Sequence, residues 1–254
     1  MVARRGWPLP PEDRTAWDGD VHIWLAELEQ PEAALQRLRR LLTDEELSRA
    51  ERFYFERDRR HFVVARGVLR ALLSTYLHIP PAAVQFTSGP RGKPALAAAH
   101  AEKPLKFNLS HSRELALYAV THEREIGVDI EWMRPLDDAE SIATHFFSAH
   151  EQAALHNLPA HLKQQGFFNC WTRKEAYIKA TGEGLSQPLD RFDVSLVPGE
   201  PAQLLRVLDK PGEVERWSLL ALQPPAGYAA ALAVEGSGWQ VRCWQWHETP
   251  ERTF

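Results

Sequence analysis

The sequence predicts an α+β fold made of two similar halves, residues 1–125 and 126–254, related by a pseudo-twofold axis. A hydroxyl-x-x-Glu capping box, the pattern that opens a helix, occurs at Thr43 and again at Ser148, about 105 positions later. A strand-like segment precedes each box, and a longer helix-like segment follows each box at nearly the same spacing. Because these features agree in order, we infer an internal duplication, which predicts a ligand-binding cleft between the halves.

The first half is predicted to run strand, helices, strands. Alternation of apolar and polar residues indicates the strands, apolar residues at helical spacing indicate the helices, and clustered Gly and Pro indicate the turns. The predicted elements are a strand over 21–25 (VHIWL), a helix opening at Thr43, a helix over 61–73 (HFVVARGVLRALL), a turn over 87–94 (TSGPRGKP), a strand entering a polar turn over 107–112 (FNLSHS) and a strand over 116–120 (ALYAV).

The second half repeats this order. It is predicted to contain a strand over 128–132 (VDIEW), a helix opening at Ser148, a helix over 166–178 (GFFNCWTRKEAYI) and a late strand over 230–234 (AALAV). The long helix should end at Gly182 and Gly184, because glycine readily adopts the left-handed conformation that closes a helix.

The composition excludes several classes of protein. The chain has 254 residues, 44% of them hydrophobic, with nine Trp and eleven Phe, which is enough for a substantial core. A net charge of −4 argues against a protein dedicated to nucleic acid or anionic membranes, so any basic site is local. The two cysteines, Cys170 and Cys243, form no disulfide framework or metal-thiolate pattern. The start MVARRGWPLPPEDR lacks an apolar signal region, and we expect a cytoplasmic protein that binds neither nucleic acid nor membrane.

Two acidic residues lie one residue apart in the strand-like stretch GVDIEW. Period two sends Asp129 and Glu131 to one face of the strand and the apolar side chains to the other. Two like charges on one face are tolerable if both are exposed, if one is protonated, or if a divalent cation lies between them. The acidic face is therefore either solvated or the wall of a site.

The stretch WTRKEAYIKATGEGL carries a second candidate group. Helical spacing places Glu175 and Lys179 beside Trp171 and Ile178, at the edge of an apolar stripe. A Glu and a Lys four residues apart can also be an ordinary surface pair, worth about 0.3 to 0.5 kcal/mol. The helix alone does not distinguish a site from a solvated ion pair.

Two further polar groups lie in the first half. Ser110 and His111 follow a strand, but a hydrolase is disfavoured because the chain has no G-x-S-x-G motif at that point. A turn-capping Ser and a surface His explain these two residues as well as ligand contacts do. Lys93 lies on the Gly/Pro turn RGKP, where it could contact a phosphate or lie in solvent.

In the order RGKP, FNLSHS, GVDIE and W-x-x-K-E-x-x-x-K, these motifs resemble those of the 4′-phosphopantetheinyl transferases of the surfactin-synthetase-activating type. The resemblance covers roughly residues 20 to 200, and the last two motifs are highly specific as a pair. It implies a pseudo-dimer of two α+β halves with coenzyme A in the cleft, in agreement with the duplication inferred from the residues.

The resemblance also implies a set of site residues. Asp129, Glu131 and Glu175 would converge within reach of one Mg²⁺ that also binds the pyrophosphate of coenzyme A, because hard oxygen ligands suit Mg²⁺. The catalytic residues would be Glu175, Lys179 and Asp129. The implied contacts to coenzyme A are Lys93, Ser110, His111, Lys174, Lys179 and Arg49. The alignment around Arg66 is ambiguous, and the last 50 residues carry no motif.

The implied reaction is transfer of 4′-phosphopantetheine from coenzyme A to a serine of an apo acyl or peptidyl carrier protein, by a monomer. Glu175 could be the general base, a metal ligand or both. Carriers of fatty-acid, polyketide and nonribosomal peptide biosynthesis fit the pattern equally. One alternative is a Mg²⁺-dependent phosphodiesterase that uses the same acids and water. Another is a carrier-binding module without turnover. The presence of Asp129, Glu131, Glu175 and Lys179 disfavours this alternative.

Overall fold

The computed structural model describes residues 7–11, 20–89, 91–101, 104–135, 139–184 and 187–248. Its first half contains β1 (Val21–Glu27), α1 (Glu32–Arg39), α2 (Asp44–Ala50), α3 (Glu56–Leu77), β2 (Phe86–Ser88), β3 (Pro94–Leu96), β4 (Leu105–Ser112) and β5 (Leu115–His122). Its second half contains β6 (Ile126–Trp132), α4 (Ala139–Phe146), α5 (Ala149–Asn157), α6 (Ala160–Thr181), β7 (Phe192–Val194), β8 (Leu204–Val207), α7 (Glu213–Arg216), β9 (Trp217–Leu222), β10 (Tyr228–Glu235) and β11 (Val241–Gln245). None of the helices in these ranges is long and apolar enough to cross a bilayer.

The two halves repeat one arrangement of strands and helices. The strand order is β1-β5-β4 in the first sheet and β6-β10-β9 in the second, and all four of these pairings are antiparallel. In each half the first strand is followed by a short capped helix and then by a helix of 22 residues, α3 or α6. The prediction of an α+β fold with two similar halves is confirmed.

Both predicted capping boxes are present. The Thr43 hydroxyl accepts from the backbone N–H of Glu46, whose carboxylate accepts from the N–H of Thr43 at 2.9 Å. Ser148 and Glu151 make the same reciprocal pair, with a distance of 2.8 Å from the Ser148 nitrogen to the carboxylate. Each box satisfies two donors that the first turn of a helix cannot bond internally, which explains why α2 and α5 begin where they do.

Of two predictions about chain turns, one is confirmed and the other is wrong. The prediction for the end of α6 is confirmed, since Gly182 has φ of 70° and forms the left-handed cap. The prediction that FNLSHS leads into a polar turn is wrong at Ser110 and His111. Both residues pair with β5 inside β4, because the hairpin turn lies farther along, at Arg113, whose φ is 50°.

The last strand crosses from one half to the other. β11 pairs in parallel with β1, Val21 lying opposite Val241, so the first sheet has the order β11-β1-β5-β4. β11 pairs the backbone groups on the edge of β1 that β5 does not cover, and the Trp244 ring packs against Trp24 with centroids 5.0 Å apart. The predicted second half, 126–254, therefore contributes a strand to the first sheet.

Three apolar cores hold the fold together. One lies between α3 and the first sheet, and a second lies between α6 and the second sheet. The third joins the two sheets and contains Ile23 of β1 with Val128 and Ile130 of β6, all completely buried. Because successive residues of a strand point to opposite faces, Asp129 and Glu131 lie on the other side of β6, toward α6.

Candidate active site between the two halves

A pocket lies where β4 of the first half meets β6 and α6 of the second half. Its lining residues are Leu109, Ser110 and His111 from β4, Asp129 and Glu131 from β6, and Trp171, Glu175 and Lys179 from α6. The three α6 residues are four positions apart, so they lie above one another on one side of the helix. The cleft predicted between the halves therefore exists, and it contains most of the predicted site residues.

A glycine brings α6 close to β6. A Cβ atom placed on Gly127 would lie 2.1 Å from the carbonyl oxygen of Ala176 and 2.4 Å from the nitrogen of Ala180. No side chain fits in this space, so only glycine allows the helix backbone to lie directly on the strand. This close packing holds Glu175 and Lys179 above the acidic face of β6.

Asp129 is almost completely buried, with 3% of its surface exposed, and it is paired with a lysine. Its Oδ1 atom accepts from Lys179 Nζ at 2.6 Å and from Ser110 Oγ at 2.8 Å. Lys179 Nζ also donates to Ser110 Oγ at 2.9 Å. The Oδ2 atom is buried and has no hydrogen-bond partner among the described residues, which leaves it available to a ligand.

The other two carboxylates have raised pKa values. Burial and the charge of Asp129 raise the pKa of Glu131, whose Oε2 accepts from Ser112 Oγ at 2.8 Å. Burial, and then the charges of Asp129 and Glu131, raise the pKa of Glu175 to about 7, although Lys179 opposes this shift. Carboxylates in one pocket whose pKa values are raised by burial and by a neighbouring carboxylate are a frequent sign of a functional site.

The three carboxylates are the predicted metal ligands. Among the described residues, no three His, Cys, Asp or Glu side chains are grouped closely enough to hold a metal ion, and Asp129 is paired with Lys179. The site in which all three acids hold one cation therefore stays a prediction. The donor set itself suits Mg²⁺, because it offers hard oxygen atoms, an unpartnered Oδ2 on Asp129 and a mutual repulsion that a divalent cation would relieve.

His111 and two apolar side chains complete the wall of the pocket. Desolvation of the imidazole and the nearby ammonium of Lys179 lower the pKa of His111. Two aromatic rings contact Trp171. The Phe167 ring stacks on it with centroids 6.3 Å apart, and the Phe146 ring makes an edge contact with centroids 5.7 Å apart. Leu109 and Trp171 therefore give the polar pocket an apolar side.

Lys174 lies outside the pocket, which corrects its prediction as a coenzyme A contact. Its side chain is completely buried, and Nζ lies 2.8 Å from Glu151 and 2.6 Å from the carbonyl oxygens of Leu189 and Phe192. Residues next to each other on a helix point about 100° apart, so the position before Glu175 faces the core instead of the pocket. Lys174 links α6 to α5, to the turn before β7 and to the first residue of β7.

The other predicted basic contacts lie away from the pocket lining. Lys93, next to the hairpin turn before β3, donates to the carbonyl oxygens of Ile126 and Ala180, both at 3.1 Å, and to Glu125. The guanidinium of Arg49, which belongs to α2, lies 5.5 Å from the centre of the Phe62 ring.

Arg66, whose role the sequence leaves ambiguous, is part of the first half's framework. It forms an ion pair with Glu46, and its guanidinium lies 3.9 Å from the centre of the Phe86 ring. Since Glu46 belongs to α2 and Arg66 to α3, the pair joins these two helices.

The chain matches two family models. The model described as the 4′-phosphopantetheinyl transferase superfamily matches residues 125–233, and the model described as 4′-phosphopantetheinyl transferase, N-terminal, matches residues 27–123. The chain is also 45% identical to the 4′-phosphopantetheinyl transferase HetI of Nostoc sp., over 94% of this chain and 98% of that protein. The chain belongs to the 4′-phosphopantetheinyl transferase superfamily.

More distant relatives of this transferase carry the same family name. It is 33% identical to the 4′-phosphopantetheinyl transferase psf-1 of Bacillus pumilus, over 73% of this chain and 77% of that protein. It is 30% identical to the 4′-phosphopantetheinyl transferase Sfp of Bacillus subtilis, over 63% of this chain and 69% of that protein.

Sequence reasoning missed three residues that shape the site of the transferase. Asn108 and Ser112 contact β6 from β4, and Gly127 sets the approach of α6. The alternation of polar residues at 108, 110 and 112 was a visible signal, because period two puts all three on one face of a strand. Gly127 carried no comparable signal, since its role depends on a helix about 50 residues away in the chain.

Proposed function

We propose that this transferase moves the 4′-phosphopantetheine group of coenzyme A to a serine hydroxyl of an apo acyl or peptidyl carrier protein. One observation carries this proposal. In a chain of this family, Asp129, Glu131, Glu175 and Lys179 line a single pocket between the two halves. The products are the holo carrier protein and 3′,5′-ADP.

The reaction forms one bond and breaks one bond at phosphorus. The serine oxygen bonds to the β-phosphorus of coenzyme A, the bond from that phosphorus to the bridging oxygen breaks, and 3′,5′-ADP leaves. The serine proton passes to the Glu175 carboxylate, which lines the pocket together with Lys179. The ammonium of Lys179 stabilises negative charge on the phosphoryl oxygens, which is the main catalytic task in phosphoryl transfer.

The acidic residues are also the proposed metal ligands. Asp129, Glu131 and Glu175 would hold Mg²⁺, which when bound supplies positive charge next to the pyrophosphate oxygens. Ser110 and His111 orient coenzyme A from the first half's wall of the pocket. Lys93 and Arg49 remain proposed contacts for the parts of coenzyme A that extend beyond the pocket.

We also propose that the enzyme is a cytoplasmic monomer. A monomer suffices because β4 of the first half and β6 and α6 of the second supply both walls of the pocket from one chain. A division at residues 125 and 126 is supported by the two family models, which meet between residues 123 and 125. The cytoplasm is supported by the absence of a disulfide framework from the sequence.

The test is a mass measurement on the carrier protein. Incubation of an apo carrier with coenzyme A, Mg²⁺ and this enzyme should add one phosphopantetheine mass to the carrier. The addition should vanish with EDTA and with a carrier whose acceptor serine is alanine. It should nearly vanish with Glu175→Gln, which keeps the size of the side chain and removes its charge and its basic oxygen. Glu215→Gln, on the exposed side of α7, is the matched control and should keep full activity.

Two other outcomes would overturn the proposal. Hydrolysis of coenzyme A without any mass change on several unrelated apo carriers would indicate a phosphodiesterase. Binding of coenzyme A without any reaction would indicate a carrier-binding module.

A further inference from the structure

The two sheets meet along two edge strands that run in the same direction. Within the described part of the chain, β4 pairs only with β5, and β6 pairs only with β10, so no backbone ladder joins β4 to β6. Edge strands expose N–H and C=O groups that need partners when they are buried. The groups on this edge of β6 must therefore find their partners elsewhere.

Side chains of β4 hydrogen-bond the backbone and the acidic side chains of the opposing strand segment, at alternate positions. Asn108 Oδ1 accepts from the backbone N–H of Val128 at 2.9 Å. Two residues farther along, Ser110 Oγ donates to Asp129 Oδ1 at 2.8 Å. We call the three residues Asn108, Ser110 and Ser112 the β4 ladder.

Ser112 completes the β4 ladder with two bonds. Its Oγ atom donates to Glu131 Oε2 at 2.8 Å and accepts from the backbone N–H of Trp132 at 3.1 Å. One hydroxyl thus holds both the carboxylate of Glu131 and the backbone of the residue that follows it. The two bonds use the donor and an acceptor site of the hydroxyl, so its orientation is determined.

The β4 ladder couples the acids to the register between the halves. Because side chains alternate along a strand, a shift of β4 by one residue relative to β6 would turn all three ladder residues away from their partners. Asp129 and Glu131 both belong to the second half, yet each is hydrogen-bonded to a serine of the first half. The position of the acidic pair therefore depends on a strand that supplies neither acid.

We infer that Ser112 is a positioning residue for the transfer reaction, since it fixes Glu131 through a hydroxyl contributed by the opposite half of the molecule. The inference rests on the proposed function and on the proposed Mg²⁺ site. Groups that hydrogen-bond a metal-binding carboxylate commonly change metal affinity or activity by about 10-fold to 100-fold when they are removed.

Replacement of Ser112 tests the inference with two readouts. In Ser112→Ala, Mg²⁺ titrated calorimetrically into the protein with saturating coenzyme A should bind about 10-fold more weakly than in the wild type. In the transfer assay kcat should fall by a similar factor, while KM for coenzyme A should change by less than about 2-fold, because the Ser112 hydroxyl contacts Glu131 and Trp132 and does not line the pocket.

Ser218→Ala is the matched control. Ser218 is also half-buried on a strand, and its hydroxyl donates one bond, to the carbonyl oxygen of Gly236 at 2.7 Å, away from the pocket. This variant should lose a similar amount of stability, and its affinity for Mg²⁺ and its kcat should be unchanged. If Ser112→Ala and Ser218→Ala have the same Mg²⁺ affinity and kcat, the positioning role is wrong.

An isosteric pair keeps the test decisive if Ser112→Ala does not fold. Ser112→Thr and Ser112→Val are both β-branched, which suits a strand, and they differ only in the hydroxyl. The Thr variant should bind Mg²⁺ within about 2-fold of the wild type and the Val variant about 10-fold more weakly. Equal affinities in the two variants would overturn the inference.

The calorimetric readout also separates this inference from the proposed function. If the wild type transfers no phosphopantetheine, the proposed function fails. The difference in Mg²⁺ affinity between the Thr and Val variants would still show whether Ser112 positions Glu131.

Discussion

At the scale of single residues, the pairing of Asp129 with Lys179 has the largest consequence for the site. A carboxylate that is 3% exposed accepts at 2.6 Å from an ammonium whose side chain is 28% exposed. Removal of one member of such a pair leaves an uncompensated buried charge, which destabilises a protein more than the pair itself stabilises it. Lys179 is therefore both a catalytic candidate and the counterion of a proposed metal ligand.

We predict that Lys179→Ala lowers stability in EDTA by about 1 to 3 kcal/mol, since the buried carboxylate of Asp129 loses its counterion. Added Mg²⁺ should restore much of this stability, because the cation then balances the charge of Asp129. Turnover should stay low at saturating Mg²⁺, because the metal does not replace the ammonium beside the phosphoryl oxygens. Urea unfolding with EDTA or Mg²⁺, together with the transfer assay, measures these effects.

The double variant Lys179→Ala with Asp129→Asn is the control for this prediction. Its stability in EDTA should exceed that of Lys179→Ala alone, because the unpaired charge is absent. If the stability of Lys179→Ala does not respond to Mg²⁺, then Mg²⁺ and the Lys179 ammonium do not both bind Asp129.

Glu175 leads to a prediction about pH in the absence of metal. Its pKa is raised from 4.5 to about 7 in the folded protein, so between these values the folded state holds a proton that the unfolded state has lost. Stability therefore falls as pH rises through this window. Glu175→Gln cannot lose a proton, and in EDTA it should match the wild type at pH 4.5 and exceed it at pH 8, by about 1 to 2 kcal/mol after screening by solvent.

Chemical unfolding of both proteins at the two pH values measures this difference. Glu215→Gln, the exposed control, should follow the wild type at both values. An equal stability of Glu175→Gln and wild type at pH 8 would mean that the Glu175 carboxylate is not buried among the other acids.

At the scale of elements, the contact between β6 and α6 assembles the site. The strand supplies two acids, the helix supplies Glu175 and Lys179, and the two elements touch through a residue without a side chain, Gly127. The buried ion pair of Lys174 with Glu151 anchors the other side of α6 to α5. One side of α6 is therefore anchored by the Lys174–Glu151 ion pair, and the opposite side packs against Gly127 of β6.

We predict that Gly127→Ala reduces turnover more than it reduces stability. The new Cβ would lie 2.1 Å from the Ala176 carbonyl oxygen, so α6 must move away from β6. Overpacking of this kind costs about 1 to 3 kcal/mol. A displacement of catalytic groups by about 1 Å can cost about 100-fold in rate. Thermal unfolding and kcat in the transfer assay measure the two losses.

Gly67→Ala is the matched control for this prediction. Its Cβ would lie 2.8 Å from the Leu38 Cβ, between α3 and α1 of the first half, away from the pocket. A similar loss of stability with kcat nearly unchanged is expected. If both variants lost kcat in proportion to stability, the glycine at 127 would have no special effect on the site.

At the scale of the whole molecule, the pocket exists because two similar halves pack against each other. The core between the sheets buries Val128 and Ile130 completely, and this burial turns the alternate residues of β6 toward the pocket. The β4 ladder joins the same two sheets beside the acids. β11 links the two sheets further. It follows β10 of the second sheet in the chain and pairs with β1 of the first sheet. The site therefore depends on association of the halves as much as on the motifs.

The sequence by itself determined the family and several of the elements that build the site. The capping boxes at Thr43 and Ser148, the glycine that ends α6 and the placement of Asp129 and Glu131 on one strand face were all predictable. These features depend on hydrogen bonds within a few residues and on the periods of helix and strand, which a single chain shows directly. The spacing of the motifs likewise pointed to the family that the relatives establish.

Only the tertiary structure decided which side chains meet. Lys174 was expected at the ligand and lies in the core, and Asp129 is paired with Lys179. The polar alternation at 108, 110 and 112 placed Ser112 on one face of its strand, but only the packing of the halves showed that Ser112 contacts Glu131 and that Gly127 contacts α6. Each of these outcomes depends on how closely α6 packs on β6 and on the register of β4 beside β6. Such contacts join residues 19 to 50 positions apart, so local periodicity can show which face a residue lies on but not which residue it meets.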